Sequence, residues 1–280
     1  MKQEVTKDFS HITLQNDYMF FSVMLDEELC KELLERILDI KIRKLVYISG
    51  QNTMKDSYDG KGIRLDIYAE DSNNTVYNVE MQTGQNSNLP KRSRFYQSAI
   101  DLNQLGVGMD YDSLKNTLVI FICTFDIFKK GLLRYTFKNI CIEDKELALN
   151  DETTKIFINT KAPLEDKDIS PILANLIKYI SSETISDEYT QKLDGAVKQR
   201  RRSSDWRVKY MKYELNLLER EREGRKAGIK EGRREGRKEG EKKLATLMDL
   251  LYKANRFEDM GHAASDEEYK EKLYEEFNIQ

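Results

Sequence analysis

The stretch Arg64-Leu65-Asp66-Ile67-Tyr68-Ala69-Glu70 alternates polar and apolar side chains, and Tyr77-Asn78-Val79-Glu80-Met81-Gln82 repeats the same alternation. A period of two residues is typical of a half-buried β-strand. Between them lies Asp71-Ser72-Asn73-Asn74, which is rich in residues that accept the dihedral angles of a tight turn. The sequence therefore predicts a β-hairpin whose polar face brings Asp66 beside Glu80 and Gln82.

This polar face has the chemistry of a magnesium site. Two carboxylates and a side-chain amide supply the oxygen ligands that Mg²⁺ prefers in proteins. An ion bound there would be held by Asp66 and Glu80, with the amide of Gln82 beside it. Taken alone, the same residues are also compatible with an ordinary solvated sheet face.

Five stretches, in this order, resemble the PD-(D/E)XK nuclease superfamily in the variant that ends Glu-x-Gln instead of Glu-x-Lys. The closer resemblance is to its transposase-related branch, the recombination-promoting nucleases. The stretches cover roughly the first half of the chain and are Asn16-Asp17-Tyr18-Met19-Phe20, Arg64-Leu65-Asp66-Ile67-Tyr68, Asn78-Val79-Glu80-Met81-Gln82, Lys91-Arg92-Ser93-Arg94-Phe95-Tyr96-Gln97-Ser98, and Val119-Ile120-Phe121-Ile122-Cys123 with Phe125-Asp126.

The resemblance implies a restriction-endonuclease-like α/β fold, a mixed sheet flanked by helices and followed by a helical C-terminal extension. It implies a Mg²⁺-dependent DNA endonuclease of low sequence specificity, associated with recombination or mobile elements, in which Asp66, Glu80 and Gln82 are catalytic and the two acids bind the metal. It also implies supporting roles for Asp17, Lys91, Arg92, Arg94, Tyr96 and Gln97. The alternative for Asp17 is the cap of the first helix, and for the three cations it is an ordinary basic helix start.

Composition favours a cytoplasmic protein that does not enter a membrane. No stretch approaches the roughly 20 apolar residues of a membrane span, and the first seven residues lead into polar sequence. The three cysteines, Cys30, Cys123 and Cys141, form no CxxC pair and predict buried thiols in a reducing compartment. With only two histidines in the chain, a multi-histidine metal centre is excluded.

Charge is distributed unevenly along a chain whose net charge is only −3. Basic residues dominate from Lys198 to Lys243, whereas the segment from Leu244 onward is acidic. Such a basic region predicts contact with DNA phosphates, and the candidate residues are Arg200, Arg201, Arg202 and Arg207. The alternative is a solvated helical face of mixed charge.

Periodicity and turn residues predict the order of elements. Helices are expected over about 16–38, 91–105, 171–180 and 189–218, and strands over 46–48, 64–70, 77–82, 117–125, 135–137 and 155–158. Three regions follow, namely a nuclease domain over 1–185, a charged helical region with a glycine repeat over 186–243, and a small helical module over 244–280.

The glycine repeat places a glycine at every fourth position from Gly224 to Gly240. Each costs about 1 kcal/mol relative to alanine inside a helix. This favours a flexible tether, and the alternative is a helix whose glycine stripe lets a second chain approach closely.

The segment after the repeat predicts a small helical hairpin, with Leu247 and Leu251 on one apolar face and Leu273 on another. Ser265 and Glu268 fit a capping box. Because so short a hairpin needs a partner for stability, it is expected to mediate homo-oligomer formation or to regulate activity.

Two other functions remain open at this point. One is a catalytically inactive relative that binds DNA or protein through the basic region. The other is a toxin-like defence nuclease regulated by the C-terminal module.

Overall fold

The computed structural model describes residues 8–54, 63–84, 88–164 and 169–279, without the side chains of residues 50–54 and 63–64. The polar start over residues 1–7 and the side chain of Arg64 therefore lie outside the described part. In chain order the elements are α1 (Asp17–Met24), α2 (Glu27–Leu38), β1 (Leu45–Met54), β2 (Ile63–Asp71), β3 (Val76–Gln82), α3 (Leu89–Gln104), β4 (Thr117–Cys123), β5 (Arg134–Phe137), β6 (Thr153–Asn159), α4 (Pro171–Ser182), α5 (Glu188–Arg202), α6 (Ser204–Lys253), α7 (Phe257–Ser265) and α8 (Glu267–Glu276).

The strands form one six-stranded mixed sheet in the order β1-β2-β3-β4-β6-β5. Strands β3, β4 and β6 are parallel, while β1, β2 and β5 run antiparallel to their neighbours. The near-continuous apolar run of β4 suits its place between two parallel neighbours, because such strands are buried on both faces. A mixed sheet with flanking helices and a helical C-terminal region confirms the restriction-endonuclease-like α/β fold.

The predicted hairpin forms between β2 and β3. Asp71 fixes its turn, because one carboxylate oxygen accepts the main-chain N–H groups of Asn73 (2.8 Å) and Thr75 (2.9 Å) and the other accepts the Tyr77 hydroxyl (2.8 Å). Asn74 adopts the left-handed conformation, with φ of 59°, which asparagine tolerates better than most residues.

Crossover helix α3 packs on the sheet face that carries Glu80. The Tyr96 ring of α3 stacks on Phe121 of β4 with 6.1 Å between ring centroids. Phe121 pairs in register with Glu80 of β3, so both side chains point to the same face. This packing brings the start of α3 to the polar face of the hairpin.

Two predicted helices are each divided in the structure. The segment 16–38 breaks at Asp26, which caps α2 by accepting the main-chain N–H groups of Glu28 and Leu29. The segment 189–218 breaks at Ser203, between α5 and α6. Trp206, which follows this second break, is buried and donates its indole N–H to the Ser22 hydroxyl (2.9 Å), so it packs within the fold.

The chain divides into two compact units, Met1–Tyr210 and Met211–Gln280. This division falls inside α6, whereas the sequence placed boundaries at residues 185 and 243. The three-region division therefore stays a prediction. None of the helices in the described ranges is both long and apolar enough to cross a membrane.

The glycine repeat is helical within α6 and is not the flexible tether that the sequence favoured. Lys, Arg and Glu, which fill most of the positions between the glycines, are good helix formers. Pairs one turn apart, such as Arg237 with Glu241 (2.9 Å), add to helix stability.

The second unit has a small core of its own. Leu247 and Leu251 of α6 pack with Ala263 of α7 and Leu273 of α8. Asp266, rather than Ser265, caps α8 by accepting the Tyr269 main-chain N–H (3.1 Å). The apolar residues of the tail thus contact one another, which weakens the argument that the tail needs a second subunit.

Candidate active site

The two candidate metal ligands lie side by side where the pairing of β2 with β3 ends. The registered pairs run from Glu70 with Val76 to Ile67 with Val79. Beyond them, the Asp66 main-chain N–H donates to Glu80 Oε1 (3.0 Å), and the Met81 main-chain N–H donates to Asp66 Oδ2 (3.1 Å). The carboxylates therefore take the place of main-chain acceptors and are fixed next to each other.

Glu80 lies beneath the surface, with only 1% of the residue exposed. Burial raises its pKa well above the ordinary value, and the neighbouring Asp66 carboxylate raises it further, while Arg92 opposes the shift. Asn78 is buried beside it. With its amide turned so that both atoms are satisfied, Asn78 donates to Glu80 Oε1 (3.1 Å) and to the Ile67 carbonyl (3.1 Å).

Arg92 connects the site residues through its guanidinium group. It donates from Nη1 to Gln82 Oε1 (2.8 Å), from Nη2 to Glu80 Oε2 (3.1 Å) and from Nε to the Tyr96 hydroxyl (2.8 Å). The guanidinium also lies over the rings of Tyr96 (5.1 Å) and Phe121 (5.3 Å). Burial alone would lower the pKa of Arg92, but Tyr96 and Glu80 raise it, so the group is a permanent cation.

Gln82 is held at both ends of its amide. Its oxygen accepts from Arg92, and its nitrogen donates to the Gly84 carbonyl (2.9 Å). The amide is uncharged, and the positive charge beside it is the guanidinium of Arg92 on α3.

These groups open onto a polar cleft of about 380 Å³. Asp17 stands at its rim in the first turn of α1, whose cap is Asn16, because Asn16 Oδ1 accepts the Met19 main-chain N–H (3.0 Å). Asp17 is therefore not the cap of the first helix. The described lining consists of Gln15, Asn16, Asp17, Asp66, Met81, Gln82, Thr83 and Arg92.

A magnesium ion fits this donor set with help from water. Within the described ranges, no group of three or more His, Cys, Asp or Glu side chains is placed to hold a metal ion. Mg²⁺ is usually bound through one or two carboxylates together with waters and substrate phosphate oxygens. Asp66 lines the cleft, whereas Glu80 is buried and its Oε2 accepts a hydrogen bond from Arg92, which also lines the cleft.

The other predicted supporting residues divide into two groups. Tyr96 contacts the site through Arg92, whereas Lys91 and Arg94 are exposed on α3 and do not line the cleft. Gln97 is buried and donates to Asp101 Oδ1 (2.9 Å) instead.

Asp126, from the last of the five stretches, anchors the loop after β4 by accepting three main-chain N–H groups and the Tyr135 hydroxyl.

The four predicted DNA-binding arginines lie at the α5–α6 corner, where three of them also contact main-chain carbonyl groups. Arg200 donates to the Ser22 carbonyl (3.2 Å), Arg201 to that of Ile12 (2.8 Å), and Arg207 to that of Arg201 (2.6 Å). A second cleft of about 400 Å³, here called the basic cleft, is lined by Asp8, Phe9, Ser10, Lys198, Arg201, Arg202 and Arg207.

Sequence reasoning missed several residues of the site. Asn78 shares the alternating face of Glu80 and Gln82, so the period of two could have found it. Gln15, Asn16 and Thr83 line the cleft only because α1 and the end of β3 meet there, and no local pattern signals that contact.

Comparison with known proteins agrees with this geometry. The family described as PD-(D/E)XK nuclease family transposase matches residues 14–195, which include all the described residues that line the cleft. No curated protein and no solved structure matches the chain. With about two thirds of its length matched, and with Asp66 and Glu80 adjacent on the hairpin, this chain belongs to the PD-(D/E)XK nuclease family of transposases.

Proposed function

We propose that this protein is a Mg²⁺-dependent DNA endonuclease of low sequence specificity that serves a mobile element or DNA recombination. One observation carries the proposal: Asp66 and Glu80 are fixed side by side, with the Arg92 cation between Glu80 and an open polar cleft. Membership of the family supports a nuclease that acts on DNA.

The proposed chemistry uses each of these residues differently. Asp66 and Glu80 would hold the ion, which when bound helps to activate water and offsets phosphate charge. Gln82 positions Arg92, and Arg92, whose side chain is 28% exposed, directs a cation toward the cleft. Guanidinium groups bind phosphate well, so Arg92 would contact the scissile phosphate or its neighbour.

The proposed path of DNA runs along the N-terminal segment. Residues 8–10 line the basic cleft, and residues 15–17 line the polar cleft that contains Asp66. Arg202 and Lys198 of the basic cleft would contact backbone phosphates. Contacts of this kind position the duplex without reading its bases, which is consistent with low specificity.

A plasmid-nicking assay with Mg²⁺ tests the proposal. We expect Asp66→Asn to lower the nicking rate by about 10²-fold or more, or about 2.7 kcal/mol in the activation barrier. Its melting temperature should stay unchanged or rise, because a repulsion with Glu80 is removed.

Glu70→Gln is the matched control, since Glu70 lies on the same face of β2 but pairs with Lys115 (2.5 Å). Full activity of a folded Asp66→Asn protein would refute the metal-site assignment.

The inactive relative is the second candidate, and the Arg92–Glu80 ion pair favours it, because Arg92 occupies an oxygen that the metal would use. DNA binding without metal-dependent nicking would support this candidate. The toxin-like nuclease and the cytoplasmic location stay predictions, and growth inhibition that depends on Asp66 would indicate the former.

A further inference from the structure

Exposed apolar side chains form a stripe along α6. Met211, Leu215 and Leu218 follow one another at intervals of four and three residues, and Ile229 lies about three turns further on. Residues with this spacing share one helix face. Their exposed fractions are 37%, 60%, 50% and 50%, respectively. These four residues are called the α6 stripe below.

The same face is covered at the C-terminal end of the helix. Leu247 and Leu251 lie about five and six turns beyond Ile229 and continue the spacing. Both are fully buried with Ala263 and Leu273. This helix face is therefore a packing surface, and the α6 stripe is the part of it that the described chain leaves exposed.

Between the α6 stripe and this covered end, the face carries Gly232, Gly236 and Gly240. Apart from the adjoining residues and nearby backbone of α6 itself, a Cβ placed on any of them would meet no described atom within 4 Å, so packing inside the described chain does not require glycine. Each glycine nevertheless costs about 1 kcal/mol relative to alanine. A partner that approaches the helix closely at the glycines would explain why they are present.

We propose that the α6 stripe binds the same face of α6 in a second copy of this chain, with the two helices antiparallel. Met211, Leu215 and Leu218 of each copy then lie opposite the glycines of the other. The outer layers of this pair, at both ends of the contact, each place a large residue against a glycine, and the whole contact spans about 45 Å of helix. A parallel pair would instead place large against large at one end and glycine against glycine at the other.

Charge favours the antiparallel arrangement as well. Residues 212–223 carry four glutamates and three basic residues, whereas residues 225–243 carry nine basic residues and four glutamates. Antiparallel helices place the first segment against the second, while parallel helices would place two basic segments side by side. Arg222 and Arg225 fall near the two-fold axis, where their aliphatic stems cover the face and their charged ends reach solvent.

The mass of the full chain in solution, measured by light scattering without DNA, tests the proposal. We expect twice the chain mass of 32.9 kDa. The double variant Leu215→Glu/Leu218→Glu should give the single-chain mass. Leu217→Glu is the matched control, because Leu217 is 41% exposed but lies on another face of the same turn, and this variant should remain a dimer.

Two glycine variants distinguish the effect of close approach between the helices from the effect of helix propensity. Gly236→Leu and Gly224→Leu both add a good helix former, but only Gly236 lies on the stripe face. We expect Gly236→Leu to weaken the dimer and Gly224→Leu to leave it intact. Equal behaviour of the two variants would contradict the proposal.

A spin label at position 212, in a Cys141→Ser background, tests the orientation. Antiparallel helices centred near residue 225 separate the two labels by about 40 Å along the axis, whereas parallel helices keep them adjacent. A short distance, or a monomeric full-length chain, would overturn the proposal. None of these measurements uses cleavage, so their outcome is independent of the proposed nuclease activity.

Discussion

Among single residues, Arg92 connects the candidate metal ligand Glu80 to the polar cleft. Its guanidinium donates to Glu80 and Gln82 and lies over two aromatic rings. A metal ion bound as proposed would therefore share Glu80 with Arg92, and a DNA phosphate would offer Arg92 another partner.

From this we predict that Arg92→Met lowers the nicking rate by about 10²-fold, since the cation at the cleft is lost. The same variant should bind Mn²⁺ more tightly than the wild type when DNA is absent, because Glu80 Oε2 is released. Calorimetry measures the metal affinity, and Arg94→Met, an exposed neighbour on α3, should change neither property. Weaker Mn²⁺ binding by a folded Arg92→Met protein would contradict this view.

How well the position of each site residue could be predicted depends on how far apart in sequence the segments lie that hold it in place. That Asp66, Glu80 and Gln82 lie close together could be predicted, because alternation along two strands and one turn is a local property, whereas their catalytic role rests on the family resemblance and stays a proposal. Arg92 could not be distinguished from Lys91 and Arg94, since its position depends on the packing of Tyr96 against Phe121, which joins segments far apart in sequence.

At the scale of elements, Asp187 joins three helices. It caps α5 by accepting the Thr190 main-chain N–H (2.9 Å), and it accepts from Arg36 of α2 (2.6 Å) and Asn175 of α4 (3.0 Å). Burial alone would raise the pKa of this carboxyl, but these hydrogen bonds lower it from its ordinary 3.8 to about 2. The ionised form therefore stabilises the native state.

Because the folded pKa lies below the unfolded one, this stabilisation is complete above about pH 4 and is lost as the pH falls toward 2. We predict that Asp187→Asn melts at a lower temperature than the wild type at pH 7 and that the difference shrinks between pH 4 and pH 2. Thermal melts across this range measure it. The exposed neighbour Glu188→Gln serves as control, and a difference that does not depend on pH would argue against the ionic contribution.

The type of each element was predicted better than its ends. The helix breaks at Asp26 and Ser203 follow from capping and tertiary packing, which propensity does not register. The glycine repeat was taken for a tether because each glycine was counted against the helix, whereas the Lys, Arg and Glu between the glycines keep the segment helical.

At the scale of the whole molecule, the basic cleft should make DNA binding depend on salt. Each phosphate contact adds about 0.9 to the slope of log affinity against log salt. We predict that Arg202→Gln reduces that slope by about one contact, because Arg202 is exposed and lines the basic cleft.

Arg200→Gln should mainly lower the melting temperature, since Arg200 donates to the Ser22 carbonyl (3.2 Å) and does not line the basic cleft. Fluorescence anisotropy with labelled duplex at several salt concentrations measures both variants. An unchanged slope for Arg202→Gln would mean that the basic cleft is only a solvated surface.

The hydrogen bonds that the Asp66 and Met81 main-chain N–H groups donate to the two carboxylates have an entropic consequence. They select one rotamer for Asp66 and one for Glu80 while the chain folds. Immobilising a flexible side chain at the moment of binding costs about 0.5–1.5 kcal/mol. Here that loss is incurred during folding, so the two acids would already be preorganised for the proposed metal ion.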